Sequence, residues 1–192
     1  GTAGRTTLNG EGLQHEDGHS HLLSSVIPNC VSYDPTFAHE VAVIMQSGLK
    51  RMVQDQENVY FYITLMNENY AQPGLKTGDE EGILKGMYLL QPSESKDKKA
   101  PKAQLLGSGT ILREVMAAAD LLRDDWGVAA DVWSATSFTE LRRNGMDCER
   151  HNMLHPTAKP QVPYVTQLLE KTEGPIVAST DYMKIFSDQI RP

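Results

Sequence analysis

The chain has 192 residues, 40% of them apolar, and a net charge of −7. That length suits one large domain or two modest ones, and no apolar run reaches the ~20 residues of a membrane span. Acids and bases are well mixed, which argues against a nucleic-acid surface or an anionic-membrane surface and leaves small molecules and proteins as partners. Cys30 and Cys148 lack the regular spacing of a disulfide framework and read as free thiols in a reducing compartment. No targeting segment is recognisable, and the chain opens at Gly1, not Met, as if cut from something longer.

Residues 1–25 read as loop, with five glycines among Thr, Asn and His. A short strand is predicted over Cys30 to Tyr33. Asp34 suits an N-cap and Pro35 the first helical position. Phe37, Val41, Ile44, Met45, Leu49 and Met52 then recur at helical spacing, so a helix is predicted to about Val53. Val59 to Thr64 is aromatic and β-branched and predicts a strand. Strand, helix, strand in that order implies a parallel pair with a crossover helix. Asn67 to Gly82 is polar and reads as a surface linker. Gly86 to Gln91 predicts an edge strand, and Ser93 to Lys99 a charged tip.

A second αβ unit opens with a strand over Ala103 to Leu106 and the turn Gly107-Ser108-Gly109-Thr110. An amphipathic helix through Leu112, Val115, Met116, Ala119 and Leu122 is closed by Gly127. Ala130 to Ala135 reads as a further strand and Asp147 to Pro160 as irregular. Pro163 opens a helix to Leu169, Pro175 to Ser179 is a strand, and Asp181 is placed as the cap of a last helix. The fold class expected is α/β, two units with mostly parallel sheets flanked by helices.

The chemistry concentrates in Gly10 to His21, where three histidines and three acids are broken by three glycines. So many ionisable groups resist burial in a core element, and such loops are where chemistry sits. Glu11 and His15 lie four apart. A histidine near its reference pKa of ~6.5 can give or take protons at neutral pH, and a nearby carboxylate could orient its tautomer or bind a substrate hydroxyl. The same spacing is compatible with a solvated polar loop. His15, His19 and His21 with Glu16 and Asp17 form an alternative, a small metal-binding or interaction module, since imidazole and carboxylate suit zinc. No second cluster at ligand spacing completes it; His151 and His155 lie far along the chain. Gly107-Ser108-Gly109 resembles a phosphate-cradling turn but lacks the third glycine of the dinucleotide fingerprint, so a tight strand-to-helix turn is the simpler reading. Ser134 to Phe138 places hydroxyls at the ligand edge of a parallel sheet, with no histidine base beside them in sequence. Cys148 reads as an idle thiol.

Several of these runs carry a family resemblance. Thr2 through Ser20, Ile27-Pro28-Asn29-Cys30, Asn67-Glu68-Asn69-Tyr70, Leu105 to Gly109, Thr136 to Leu141, Asp147 to Arg150, Asn152 to Pro156 and Ala178 to Lys184 closely resemble the homodimeric pyruvate dehydrogenase first component of bacteria. That family lies within the transketolase superfamily. The resemblance implies a fragment: residues 1–67 as the end of the thiamine diphosphate pyrimidine-binding domain, 68–82 as linker, and 83–192 as an incomplete transketolase-like C-terminal domain. It implies an enzyme that decarboxylates pyruvate and reductively acetylates the lipoyl group of a dihydrolipoyl acetyltransferase component. Thiamine diphosphate and magnesium would be its cofactors, a homodimer its assembly and the cytoplasm its location. The family's diphosphate- and magnesium-binding motif is not in this sequence, so no cofactor-binding or metal residue is assigned and the fragment alone is expected to be inactive. By the resemblance, His15 faces pyruvate and Glu11 is its partner near the reacting centre. Ala3 stands where transketolases place a histidine for sugar hydroxyls, which fits a short keto acid. Asp17, His19 and Ser134 to Ser137 receive no role.

Overall fold

A computed structural model describes residues 2–3, 16–66, 68–95, 97 and 99–190. The loop prediction over residues 4–15, with Glu11 and His15, lies outside the described residues. The elements in chain order are β1 (Thr2–Ala3), α1 (Ser20–Ser25), β2 (Cys30–Tyr33), α2 (Ala38–Leu49) and β3 (Tyr60–Ile63). There follow β4 (Leu65–Met66), α3 (Asp79–Lys85), β5 (Tyr88–Gln91), β6 (Lys102–Gly107), α4 (Ile111–Trp126) and β7 (Ala129–Ser134). The last are α5 (Phe138–Leu154), α6 (Tyr164–Leu169), β8 (Ile176–Ser179) and α7 (Lys184–Asp188).

The α/β class and the mostly parallel pairing are as expected. β2 and β3 pair in parallel, Cys30 opposite Tyr60 and Tyr33 opposite Ile63, with α2 as the crossover. β1 and β4 form a second parallel pair. The remaining strands make one sheet in the order β5-β7-β6-β8, in which only β5 runs antiparallel to its neighbour. Parallel strands need cover on both faces; β2, β6 and β7 are largely buried, while Ile176 and Val177 of β8 and Tyr60 of β3 stay exposed. Val31, Tyr33, Phe37 and Ile44 share one buried cluster with Ile83, Leu105, Leu112 and Val132. The small β2–β3 pair is therefore packed directly on the four-stranded sheet. A second cluster joins Leu106, Trp133, Phe138 and Leu141 to Tyr182 and Phe186.

Five local expectations fail. α2 starts at Ala38, three residues later than Asp34 as cap would give. Asp34 is instead drawn into long-range bonds, and the helix entry is closed by Glu40, whose Oε2 accepts from the Thr36 and Phe37 amides at 2.6 and 2.9 Å. At its other end α2 loosens into a π-turn over Lys50–Gln54. Residues 138–154 form one helix where Asp147 to Pro160 reads as irregular. Ser137 caps it by accepting from the Glu140 amide at 3.0 Å, but only Phe138, Thr139, Leu141 and Cys148 are buried along it, too sparse a stripe to register as periodicity. α1 lies inside the stretch read as loop, its entry closed by the Asp17 carboxylate, which accepts from the His19 and Ser20 amides at 2.9 Å. α7 begins after Met183, with Met183 and not Asp181 as its cap. Asp79–Lys85 is also helical, ending in Gly86 at φ 102°, so the polar stretch to Gly82 is helical from Asp79. Both cysteines are buried free thiols.

Candidate functional site

Glu11 and His15 fall on residues outside the description, but the segment that follows them does not. It runs from Glu16 through α1, and it is fastened to the rest of the chain by a buried polar network. His21 is 1% exposed. Its ring stacks on Phe186 at 5.1 Å and meets Tyr62 and Tyr182 edge-on at 5.3 and 4.8 Å. Its Nε2 lies 2.9 Å from Thr64 Oγ1. Thr64 follows β3, held there by its amide to the Tyr33 carbonyl at 3.1 Å, and its hydroxyl donates to Asp34 Oδ1 at 2.6 Å. A hydroxyl has one proton to give, so the imidazole donates at this contact and His21 carries its proton on Nε2. Three residues earlier, the Gly18 carbonyl accepts from the Met183 amide at 3.2 Å. The stalk of the histidine loop is thus fixed to β3, to Asp34 and to the end of the chain near α7.

Asp34 is where the two halves meet. Its amide donates to the Thr136 carbonyl at 2.8 Å and its carbonyl accepts from the Gly109 amide at 3.0 Å. Its second carboxylate oxygen accepts from Ser108 Oγ at 3.0 Å, and Ser108 in turn lies 3.1 Å from Thr180 Oγ1. Thr36 adds a bond from its hydroxyl to the Gly109 carbonyl at 2.7 Å. The turn Gly107 to Thr110 is therefore wrapped on a carboxylate of its own chain. A Cβ on Gly109, at φ +50°, would stand 2.5 Å from Asp34 Oδ2, so only glycine fits there. That geometry leaves a phosphate no room in this turn and settles it as a tight strand-to-helix connection.

A second buried carboxylate sits beside it. Glu40 is 0% exposed. Its Oε2 serves the two amides already described, while Oε1 accepts from Tyr88 Oη at 2.8 Å and Ser134 Oγ at 2.6 Å. Burial, reinforced by the Glu40 charge, pushes the Tyr88 hydroxyl far above its usual range, so Tyr88 remains a donor. The other hydroxyls of the predicted ligand edge are spent in the same way, Thr136 on the Ile83 carbonyl at 2.7 Å and Ser137 on the Ser32 carbonyl at 2.6 Å. This edge is an internal seam and not an open ligand site.

Among its described residues the histidine cluster is not assembled as a metal site. His21 is committed to Thr64 and the aromatic cluster, His19 is exposed, and His15 lies outside the described residues. Among the described residues no group of three or more His, Cys, Asp or Glu side chains could hold a metal ion. His151 and His155 stack on each other at 4.5 Å at the end of α5. Cys148 is buried. Sequence reasoning gave Thr64 and Thr180 no role, weighed Ser108 only as part of a glycine turn, and read Asp34 as a helix cap and His21 as a loop ligand. The only signal was indirect: Gly109, a glycine one residue inside a turn, implies something pressed against it.

Comparison with known proteins agrees with this layout. Residues 1–73 match the family model for the pyruvate dehydrogenase E1 component middle domain, and residues 86–192 match that for the transketolase-like C-terminal domain. Curated relatives named pyruvate dehydrogenase E1 component include one from Pseudomonas aeruginosa, 62% identical over 191 residues, and one from Escherichia coli, 61% identical over 192. Both alignments take in 100% of this chain and 21% of the relative, so the chain spans about a fifth of their length. Among solved structures, a transketolase from Pichia stipitis superposes with a TM-score of 0.60 at 18% identity, over 92% of this chain and 22% of the other. A transketolase from Leishmania mexicana gives 0.56 at 15%, over 91% and 21%; at such identities the likeness is one of fold. The chain belongs to the transketolase-like family, joining a segment of pyruvate dehydrogenase E1 middle-domain type to that family's C-terminal domain.

Proposed function

We propose that this chain is part of a pyruvate dehydrogenase E1 subunit and supplies the acid–base loop of its reaction centre, with His15 and Glu11 as the working pair. The observation that carries the reading is identity of about 60% over the full chain to proteins of that name. The anchoring of the segment directly after His15 by both halves of the chain adds support. The substrate is pyruvate, and the acetyl group passes to the lipoyl group of a dihydrolipoyl acetyltransferase. The complete subunit works as a homodimer in the cytoplasm with thiamine diphosphate and magnesium.

Among the described residues, the strand-to-helix glycine turn is filled by Asp34 and no cluster of metal-ligating side chains is gathered; on this reading the diphosphate and its metal lie on other parts of the subunit. Thiamine diphosphate, when bound, supplies the reactive carbon and the electron sink for loss of carbon dioxide. What this chain contributes is proton handling and placement. His15, an imidazole that titrates near ~6.5 in water, holds or gives a proton at the substrate oxygen. Glu11 sets its tautomer by accepting from the other ring nitrogen. The segment from Glu16 to Ser25, which follows the pair directly, is bonded to Thr64 through His21 and to Met183 through Gly18.

The test is turnover. The complete subunit is expected to release carbon dioxide from pyruvate and acetylate a lipoyl domain, and the 192-residue chain alone to do neither. Undiminished decarboxylation by the isolated chain would overturn the reading.

A further inference from the structure

We infer that the relay from His21 through Thr64 to Asp34 is a positioning device for the His15 loop, and that through it the C-terminal half sets the rate of the chemical step. The inference rests on the role proposed for His15. It starts from what is buried. His21 sits six residues after His15, and a buried imidazole demands hydrogen-bond partners. It has one at 2.9 Å in Thr64, which passes its own proton to Asp34 at 2.6 Å, not to the Tyr33 carbonyl at 3.3 Å. Asp34 is in turn gripped by Ser108 at 3.0 Å and, through the Gly109 amide, by the turn between β6 and α4. Each group in the series has its donor or acceptor capacity directed at the next, so a shift at the β6–α4 turn is transmitted to His21 by bonds and not by loose contact.

The aromatic cage points the same way. Tyr182 and Phe186 come from the chain end and Tyr62 from β3, and all three rings meet the His21 ring within 5.3 Å. A reaction centre requires a fixed approach, and the buried bond and ring contacts of His21 fix the chain that follows His15. A misplacement of about 1 Å at a reacting group costs on the order of a hundredfold in rate, which is the scale on which loss of the relay should act. His21, Thr64 and Asp34 touch no substrate in this scheme; they are positioning residues.

The experiment uses the complete subunit with thiamine diphosphate, magnesium and pyruvate. Thr64→Val removes the hydroxyl at constant shape, and His21→Phe removes the donor while keeping an aromatic ring. Each is expected to lower kcat by roughly 10- to 100-fold with KM for pyruvate nearly unchanged. The double variant should be little worse than either single, because both cut one chain. Thr64→Ser, which restores the hydroxyl, should recover most of the lost rate. Backbone amides over residues 16–25 should exchange faster with solvent in Thr64→Val than in Thr64→Ser. Ile44→Val, a core change on α2, serves as the control for general loosening and should leave kcat alone. Unchanged kcat in Thr64→Val and His21→Phe, beside a His15→Ala subunit that has lost turnover, would overturn the inference and leave the proposed function standing. A His15→Ala subunit with full turnover would instead overturn the proposed function and this inference with it. An equal loss in Ile44→Val would reduce the effect to stability and also overturn the inference. Should the Phe ring not be accommodated at position 21, Thr64→Val with its Ser rescue decides alone.

Discussion

His15→Ala in the complete subunit is expected to lower kcat for pyruvate by about 10²- to 10⁴-fold, the range that a positioned general acid–base group contributes. On the scale of 1.36 kcal/mol per factor of ten, that is roughly 3–5 kcal/mol of barrier. The loss should fall on kcat and kcat/KM together, since a proton in flight is an interaction made in the transition state. Thiamine diphosphate affinity should change little, because the pair is assigned to the substrate end of the cleft. Glu11→Gln should cost less than His15→Ala, since a partner that sets a tautomer leaves the acid itself in place. The measurement is steady-state carbon dioxide release with saturating cofactor, paired with a cofactor titration. A variant that loses cofactor binding but keeps its kcat would place His15 elsewhere.

Glu40→Ala is expected to destabilise the fold by about 4 kcal/mol or more. Glu40 accepts four hydrogen bonds at 2.6 to 2.9 Å from Thr36, Phe37, Tyr88 and Ser134, and it is wholly buried. Each donor left without an acceptor costs about 1–3 kcal/mol. The losses are not additive, because Oε1 and Oε2 move together and water can enter the cavity. Even the low end is a large share of the ~5–15 kcal/mol that holds a domain together. The effect should also exceed that of an ordinary cap deletion, ~1 kcal/mol, because the same carboxylate closes the α2 entry and ties it to β5 and β7. Tyr88→Phe, which removes one donor and leaves three, should cost only about 1 kcal/mol. Urea midpoints of the chain and the two variants check the order. A Glu40→Ala loss no greater than that of Tyr88→Phe would mean that the site is wet and the carboxylate dispensable.

Glu40 also illustrates what could be read from the sequence and what could not. The strand β3 was legible because Tyr60 to Ile63 is aromatic and β-branched over its whole length. The core stripe of α2 was legible because Ile44 and its neighbours repeat at helical spacing. The end of α4 was legible from Gly127, which takes the left-handed conformation at φ +65°. The start of α2 was not. Asp34-Pro35 is a sound local start signal, but local signals lose when a residue gains more from distant partners, and Asp34 bonds to residues 30, 74 and about a hundred positions away. Helix α5 was hidden for the opposite reason. Its exposed face mixes Asp147, Glu149 and Arg150 with Met146, Met153 and Leu154, and its buried side is carried by few apolar residues.

The candidate site divides along the same line. Glu11 and His15 stand out by composition, and the family resemblance gives them a task. The relay from His21 through Thr64 to Asp34 does not stand out, because a buried Thr, a Ser in a glycine turn and one more histidine among three carry no local signature. His21 in particular reads as a metal ligand beside His15 and His19. Only its burial against Tyr62, Tyr182 and Phe186 separates it from them.

The most direct measurement titrates thiamine diphosphate with magnesium into the 192-residue chain and into the complete subunit, following heat. Saturable uptake by the complete subunit and none by the chain alone is the result expected of a segment that forms one wall of a shared cleft. Tight, stoichiometric uptake by the chain alone would contradict it, since the only described glycine turn suited to a diphosphate is already filled by Asp34.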